Sequence, residues 1–170
     1  MNRNAPNQRP VISLGLSPVL VTVELLAAIA ILLAVLLIVQ FWAVLPDRIP
    51  IHFGYRGLAD AWGDKVMIWI MPGVAAIIFV VLTAVSRYPH TFNYPVPITS
   101  ENARRQYLLG RGLLVWLKAE ICWLSAFVVR QQILVALGNA QRFSIELLLG
   151  LVVLIFSTVG VYLFKAYSAR

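Results

Sequence analysis

The sequence predicts an all-α integral membrane protein with four transmembrane helices and a structured external loop between helices 1 and 2. Of its 170 residues, 61% are hydrophobic and 12% are charged, whereas soluble domains contain roughly 45–50% apolar and about 25% charged residues. Four apolar stretches reach the roughly 20 residues that a helix needs to cross a bilayer. No stretch has the alternating pattern of a membrane β-strand, so helices are expected to make every crossing.

The predicted chain organisation is a polar tail followed by one membrane domain. The tail covers residues 1–18 and the membrane domain covers residues 19–170. The four spans are expected at residues 19–44, 66–85, 108–136 and 145–164, with the external loop at 45–65. Ser100 can cap free N–H groups, so the third helix is expected to begin there, on the membrane surface, and to continue into the bilayer.

The distribution of basic residues predicts the orientation of the chain. The net charge is +7, but Lys and Arg are scattered along the chain, which argues against a nucleic-acid partner and leaves the lipid bilayer as the expected one. Eight Lys and Arg lie in the tail, the second connection and the C-terminus, against five on the opposite side. The protein is expected in the inner (plasma) membrane of the cell. The positive-inside rule then predicts that both termini lie in the cytoplasm.

Residues 45–65, LPDRIPIHFGYRGLADAWGDK, are unusually polar for this chain. Pro46 and Pro50 fix their own φ and favour extended geometry in the residues before them. Gly54 and Gly57 allow the positive φ of a tight turn. The pattern predicts a small cap on the outer end of the bundle, built as a loose hairpin followed by a turn.

The side chains of this loop are the candidates for recognition. His52, Asp60 and Asp64 offer an imidazole and two carboxylates, which could hold a divalent metal if the turn folds them together. Their spacing matches no metal motif, so a structural hydrogen-bonding role is the alternative. The sequence leaves open whether these residues bind a metal. Asp47 and Trp62 complete the predicted ligand or partner site. No pattern indicates a nucleophile, which favours a protein that is not an enzyme and has no cofactor.

Charged residues inside the spans predict a second, structural site. Glu24 and Lys118 are costly in a bilayer and are expected to find partners. At about 1.5 Å per residue, they lie at depths that a lysine stem can join, so an ion pair between spans one and three is expected. A proton or ion path is the rival interpretation, although the internal repeats of transporters are missing. A stripe of polar and small side chains on helix 3 should face protein or water rather than lipid; it consists of Arg111, Lys118, Cys122, Ser125 and Gln132.

The loop resembles the signature of a bacterial membrane family described as a domain of unknown function. The matching positions are Leu45, Pro46, Asp47, Ile49, Pro50, His52, Gly57, Asp60, Trp62 and Lys65. Ala59 departs from the family pattern, which often has Pro there. A second resemblance, over residues 92–107, rests on Asn93, Tyr94, Pro95, Asn102 and Gln106. The family includes the N-terminal part of immunity proteins that protect Gram-positive cells from a secreted sporulation-delaying toxin, which implies a link to immunity or signalling.

Two functions follow as hypotheses. The first is a non-enzymatic multi-pass membrane protein that recognises a ligand, a peptide or a partner protein through its external loop. The alternative is a small accessory or structural subunit of a larger membrane complex, because four helices cannot shield every polar group in the spans. A homo-oligomer is a further expected partner arrangement.

Overall fold

The computed structural model describes residues 9–15 and 17–170. The predicted polar tail lies partly outside this range, at residues 1–8 and 16. The helices and strands, in chain order, are α1 (Pro18–Phe41), β1 (Arg48–Phe53), β2 (Ala59–Asp64), α2 (Ile70–Val85), α3 (Ala103–Ala136) and α4 (Ile145–Ser168). Two short 3₁₀ segments, Lys65–Trp69 and Pro89–Thr91, accompany them.

Four helical segments are long and apolar enough to cross a membrane, which is consistent with a multi-pass membrane protein. They are Pro18–Phe41, Lys65–Val85, Ala103–Ala136 and Ile145–Ser168. The structure is therefore mostly helical, as the composition predicts. The third helix begins at Ala103 rather than at Ser100, and Asn102 occupies its N-cap position. The side chain of Asn102 accepts a hydrogen bond from the Thr99 amide at 2.9 Å. This hydrogen bond fixes the end of the loop that precedes the helix.

The all-α class needs one correction, because residues 48–64 form a two-stranded antiparallel sheet. Arg48 lies opposite Asp64, and Pro50 lies opposite Trp62. The register then shifts, so that His52 lies opposite Ala61 and Ile51 is an extra residue on β1. Prolines restrict this segment to extended geometry, and the turn that follows lets the chain pair with itself instead of forming a helix.

The core is the contact between α1 and α3. The buried residues of α1 recur every three or four positions, as one helical face requires; they are Val23, Ala27, Ala30, Ala34 and Ile38. Three of these five are alanine, and small side chains let two helices approach closely. On α3 the residues in the same buried cluster include Ala119, Cys122 and Ala126. Both helices therefore place small side chains at their contact.

Helix α3 is the central helix of the bundle, since it contacts α1, α2 and α4. By contrast α4 is sparsely packed, and its most hydrophobic window contains no buried residue. The C-terminal end of α4 is held by Gln106, whose side-chain amide donates to the carbonyl oxygens of Ala166 at 2.9 Å and Ala169 at 3.2 Å. Helix α4 therefore leaves most of its surface open to whatever surrounds the bundle.

The connection between α2 and α3 lies at the end of the bundle opposite the sheet. Here the Tyr94 hydroxyl donates to the Pro89 carbonyl oxygen at 2.8 Å, and its ring lies against Gly110, where a Cβ would be 3.0 Å from it. Burial raises the pKa of Tyr94, because a phenolate would lose its hydration there. This connection is a folded segment rather than a loose linker.

Candidate functional site

The sheet and its turn, residues 48–64, form the hairpin cap, which is attached to the α3–α4 connection through Gly57. The Phe143 amide donates to the Gly57 carbonyl oxygen at 2.8 Å. Gly57 has a φ of 74°, and a Cβ built on it would lie 2.4 Å from the Phe143 carbonyl oxygen. Only glycine meets both demands, so this residue fixes the tip of the cap to the helical bundle.

Two further contacts hold the underside of the cap. The Gln132 side-chain amide on α3 donates to the Pro50 carbonyl oxygen at 3.1 Å. Phe143 packs between Phe53 of β1, at 4.8 Å between ring centroids, and Phe127 of α3, at 5.4 Å. Ile49 is fully buried below the sheet. A two-stranded hairpin is marginal by itself in water, and these contacts supply the stability that it lacks.

Strand β2 carries three of the predicted site residues, and all three are exposed. Exposure alternates along the strand, so Asp60, Trp62 and Asp64 are exposed while Gly63 is buried. Trp62 and Asp64 are two positions apart and share one face, because successive side chains of a strand point to opposite faces. A second register shift leaves Asp60 without a partner on β1, so this alternation does not extend to it. The structure thus presents two carboxylates and an indole as exposed side chains of one fixed hairpin.

His52 and Asp60 meet on this hairpin. The imidazole Nδ1 lies 2.5 Å from Asp60 Oδ1, and the two side chains are 69% and 51% exposed. The carboxylate orients the ring, as it does where an imidazole serves as a ligand or a proton carrier. In this arrangement the Nε2 atom points away from the bonded nitrogen and can donate to or accept from a bound group.

The remaining predicted residues have separate contacts. Asp64 Oδ1 accepts from the Val66 amide at 2.8 Å and so caps the 3₁₀ segment. Asp47 Oδ1 lies 3.6 Å from Lys65 Nζ. His52 and Asp60 are therefore together, whereas Asp64 and Asp47 contact the neighbouring backbone or Lys65. Within the described residues no group of three or more His, Cys, Asp and Glu side chains could hold a metal ion.

The intramembrane residues Glu24 and Lys118 are in direct contact. Lys118 Nζ lies 2.5 Å from Glu24 Oε2 and 2.7 Å from the Thr83 hydroxyl. The ring centroid of Phe79 lies 4.6 Å from the same ammonium group. Lys118 is fully buried, while the Glu24 side chain is 27% exposed. Side chains from α1, α2 and α3 therefore meet at Lys118. That this contact stabilises the bundle stays a prediction.

Sequence reasoning missed several partners in these sites. Thr83 and Phe79 on α2 complete the surroundings of Lys118, although a threonine inside an apolar run is itself a signal of a buried polar contact. Glu120 accepts a hydrogen bond from the Thr158 hydroxyl at 2.5 Å, which joins α3 to α4. Of the predicted stripe on α3, four residues are buried, whereas Arg111 is partly exposed.

Comparison with known proteins matches one part of the chain, which includes the hairpin cap, to a protein family. Residues 28–76 match the model of a family described as a domain of unknown function (DUF1648). The match covers most of α1, the cap and the start of α2, and it contains all five residues of the predicted recognition site. Glu24 and Lys118 lie outside it. No curated protein and no solved structure matched the chain.

Proposed function

We propose that this is a non-enzymatic, multi-pass protein of a bacterial inner membrane that recognises a ligand, a peptide or a partner protein through the hairpin cap. The recognition residues are His52, Asp60 and Trp62, with Asp64 and Asp47 at the edge of the same surface. Both termini face the cytoplasm and the cap faces outward, as the basic residues suggest.

The observation that carries this proposal is the exposed face of a fixed sheet. The underside of the cap is held by Gly57, Pro50 and Phe53, whereas Asp60 and Trp62 are exposed. A connector between two helices needs neither an exposed indole nor an oriented imidazole. Such groups on a rigid support are typical of binding surfaces, because little entropy is lost when a partner arrives.

An exported peptide is the partner class to test first. The resemblance of the loop to the N-terminal part of toxin-immunity proteins supports this choice. The indole of Trp62 is 46% exposed and supplies an apolar anchor of the kind found at binding hot spots.

The test is in-cell photo-crosslinking with the full chain. A photoreactive amino acid replaces Tyr55, which is 83% exposed at the tip of the cap, and a matched control places it at Leu147 on α4. A specific adduct is expected at Tyr55 and should disappear in His52→Ala and Trp62→Ala variants that still insert into the membrane. If the adduct persists in both variants, or if both variants are lost from the membrane, the cap is a folding element and the proposal fails.

A role as a small accessory subunit is the second candidate, and the sparse packing of α4 favours it. Its most hydrophobic window contains no buried residue, so α4 can pack against another protein as readily as against lipid. Purification in a mild detergent followed by mass spectrometry tests this. A stable second subunit, with crosslinks from Leu147, supports the subunit role, whereas a lone monomer or homodimer contradicts it.

A further inference from the structure

A second candidate site lies away from the hairpin cap, in a groove between α1, α3 and α4. The groove has a volume of about 720 Å³, within the range of about 300–1,000 Å³ that small-molecule sites occupy. Its walls are almost entirely apolar, and Leu113 and Leu154 are representative of them. We refer to it as the α4 groove.

The polar feature of this groove is the carboxylate of Glu120. This residue lines the groove and is only 7% exposed. Its Oε1 atom accepts the hydrogen bond from Thr158, but its Oε2 atom is buried and has no hydrogen-bond partner among the described residues. An unmatched buried carboxylate oxygen costs free energy, so the site is incomplete without a donor.

The neighbours of Glu120 indicate which kind of donor fits. Trp116 and Trp123 lie four residues before it and three residues after it, so they share its helical face, and both indoles line the groove. A carboxylate flanked by indole rings is suited to an ammonium group, which is attracted to the carboxylate by charge and to the rings by cation–π interaction. The acyl chain of a lipid has no hydrogen-bond donor and leaves Oε2 unpaired.

The only basic side chain that lines the groove within the described residues, Lys165, is distant from this point. It lies seven residues beyond Thr158 on α4, or about 10 Å along a helix. The two charged side chains of the groove are therefore separated. The carboxylate of Glu120 lies at its middle and the ammonium group of Lys165 lies at one end. A molecule with a long apolar body and a cationic head can fill the volume and keep its head at Glu120.

We propose that the α4 groove is a binding site for a lipophilic primary amine, whose ammonium head donates to Glu120 between Trp116 and Trp123. The apolar body lies along α4. The Glu120 side chain turns about its last bond, a soft torsion, to present Oε2 to the head group. This site is independent of the recognition surface on the cap.

The test measures binding to the full chain in nanodiscs of zwitterionic lipid. The probe is a primary alkylammonium with a dansyl group at its far end, and its binding is measured by energy transfer from tryptophan. The neutral comparison has the same chain and fluorophore but ends in a hydroxyl group. The cationic probe should bind at least about tenfold more tightly than the neutral one, as expected for a charge paired in a low-dielectric site.

Variants assign the effect to one residue. Glu120→Gln should abolish the preference for the cation while leaving the neutral probe unchanged, and Glu146→Gln, an exposed carboxylate outside the groove, should have no effect. Equal binding of the two probes to the original protein overturns the proposal, as does a Glu120→Gln variant that keeps the preference. Should Glu120→Gln fail to fold, the comparison of the two probes on the original protein still decides the question.

Discussion

Two side-chain pairs with equal separations show how the surroundings of a residue decide its energetic role. The His52 and Asp60 atoms are 2.5 Å apart, and so are those of Lys118 and Glu24. The first pair is largely exposed, and such pairs contribute about 0–1 kcal/mol to the free energy of unfolding. Lys118 is fully buried, and removing one partner of a buried pair typically costs about 3–5 kcal/mol. The exposed pair is thus accessible to solvent, whereas we expect the buried pair to be a structural contact.

The buried pair gives a prediction at this scale. Glu24→Gln leaves the Lys118 ammonium without a counter-charge, so we expect a loss of about 3–5 kcal/mol in the free energy of unfolding. The double variant Glu24→Gln with Lys118→Met removes both charges and should recover part of this loss. Thermal unfolding in detergent of the original protein, the two single variants and the double variant measures this double-mutant cycle. Glu146→Gln is the surface control. The pairing is wrong if Glu24→Gln unfolds like the original protein while Lys118→Met does not.

Individual residues also show why only part of the site could be predicted. Glu24 and Lys118 were recognisable because a charge in an apolar run needs a partner. The contact of Asp64 with the Val66 amide depends on where the strand ends, which composition does not reveal. Likewise, Glu120 and Thr158 are 38 residues apart, and nothing in either local pattern relates one to the other.

The helices and the hairpin differ in how far local sequence determines them. Each long helix follows from an apolar run of sufficient length, because the bilayer requires it. The hairpin is different, since its stability depends on contacts such as that between Gly57 and Phe143, which lie far apart in sequence. The prolines and glycines indicate a turn, but no local pattern indicates the register shift at Ile51, which directly follows the buried Ile49 and Pro50.

The attachment of the hairpin gives a prediction at the scale of the element. Gly57→Ala places a methyl group against the Phe143 carbonyl oxygen and forces an alanine into positive φ, so we expect a cost of at least about 1–2 kcal/mol. The matched control is Gly150→Ala, where nothing lies within 4 Å of the added Cβ. Protease cleavage within residues 48–64 should become faster in Gly57→Ala only. Equal cleavage rates in the two variants would show that the cap is held by other contacts.

At the scale of the whole molecule, the two ends of the bundle are different. One end carries the hairpin cap and the α3–α4 connection, joined through Gly57 and Phe143. The other end carries the α2–α3 connection and the C-terminal end of α4, which is held by Gln106. The central claim is that four helices cross the membrane with the cap on one side and the α2–α3 connection on the other.

Labelling of single cysteines in intact cells tests this claim most directly. Cys122, the one native cysteine, is replaced by serine, and one cysteine is introduced as Tyr55→Cys in the cap, Asn139→Cys after α3 or Asn93→Cys before α3. A membrane-impermeant maleimide should label the first two variants from outside, and should label Asn93→Cys only after the cells are opened. Labelling of Asn93→Cys together with Tyr55→Cys in intact cells, or different labelling of Tyr55→Cys and Asn139→Cys, would contradict this claim, and labelling of Asn93→Cys alone would reverse the proposed orientation.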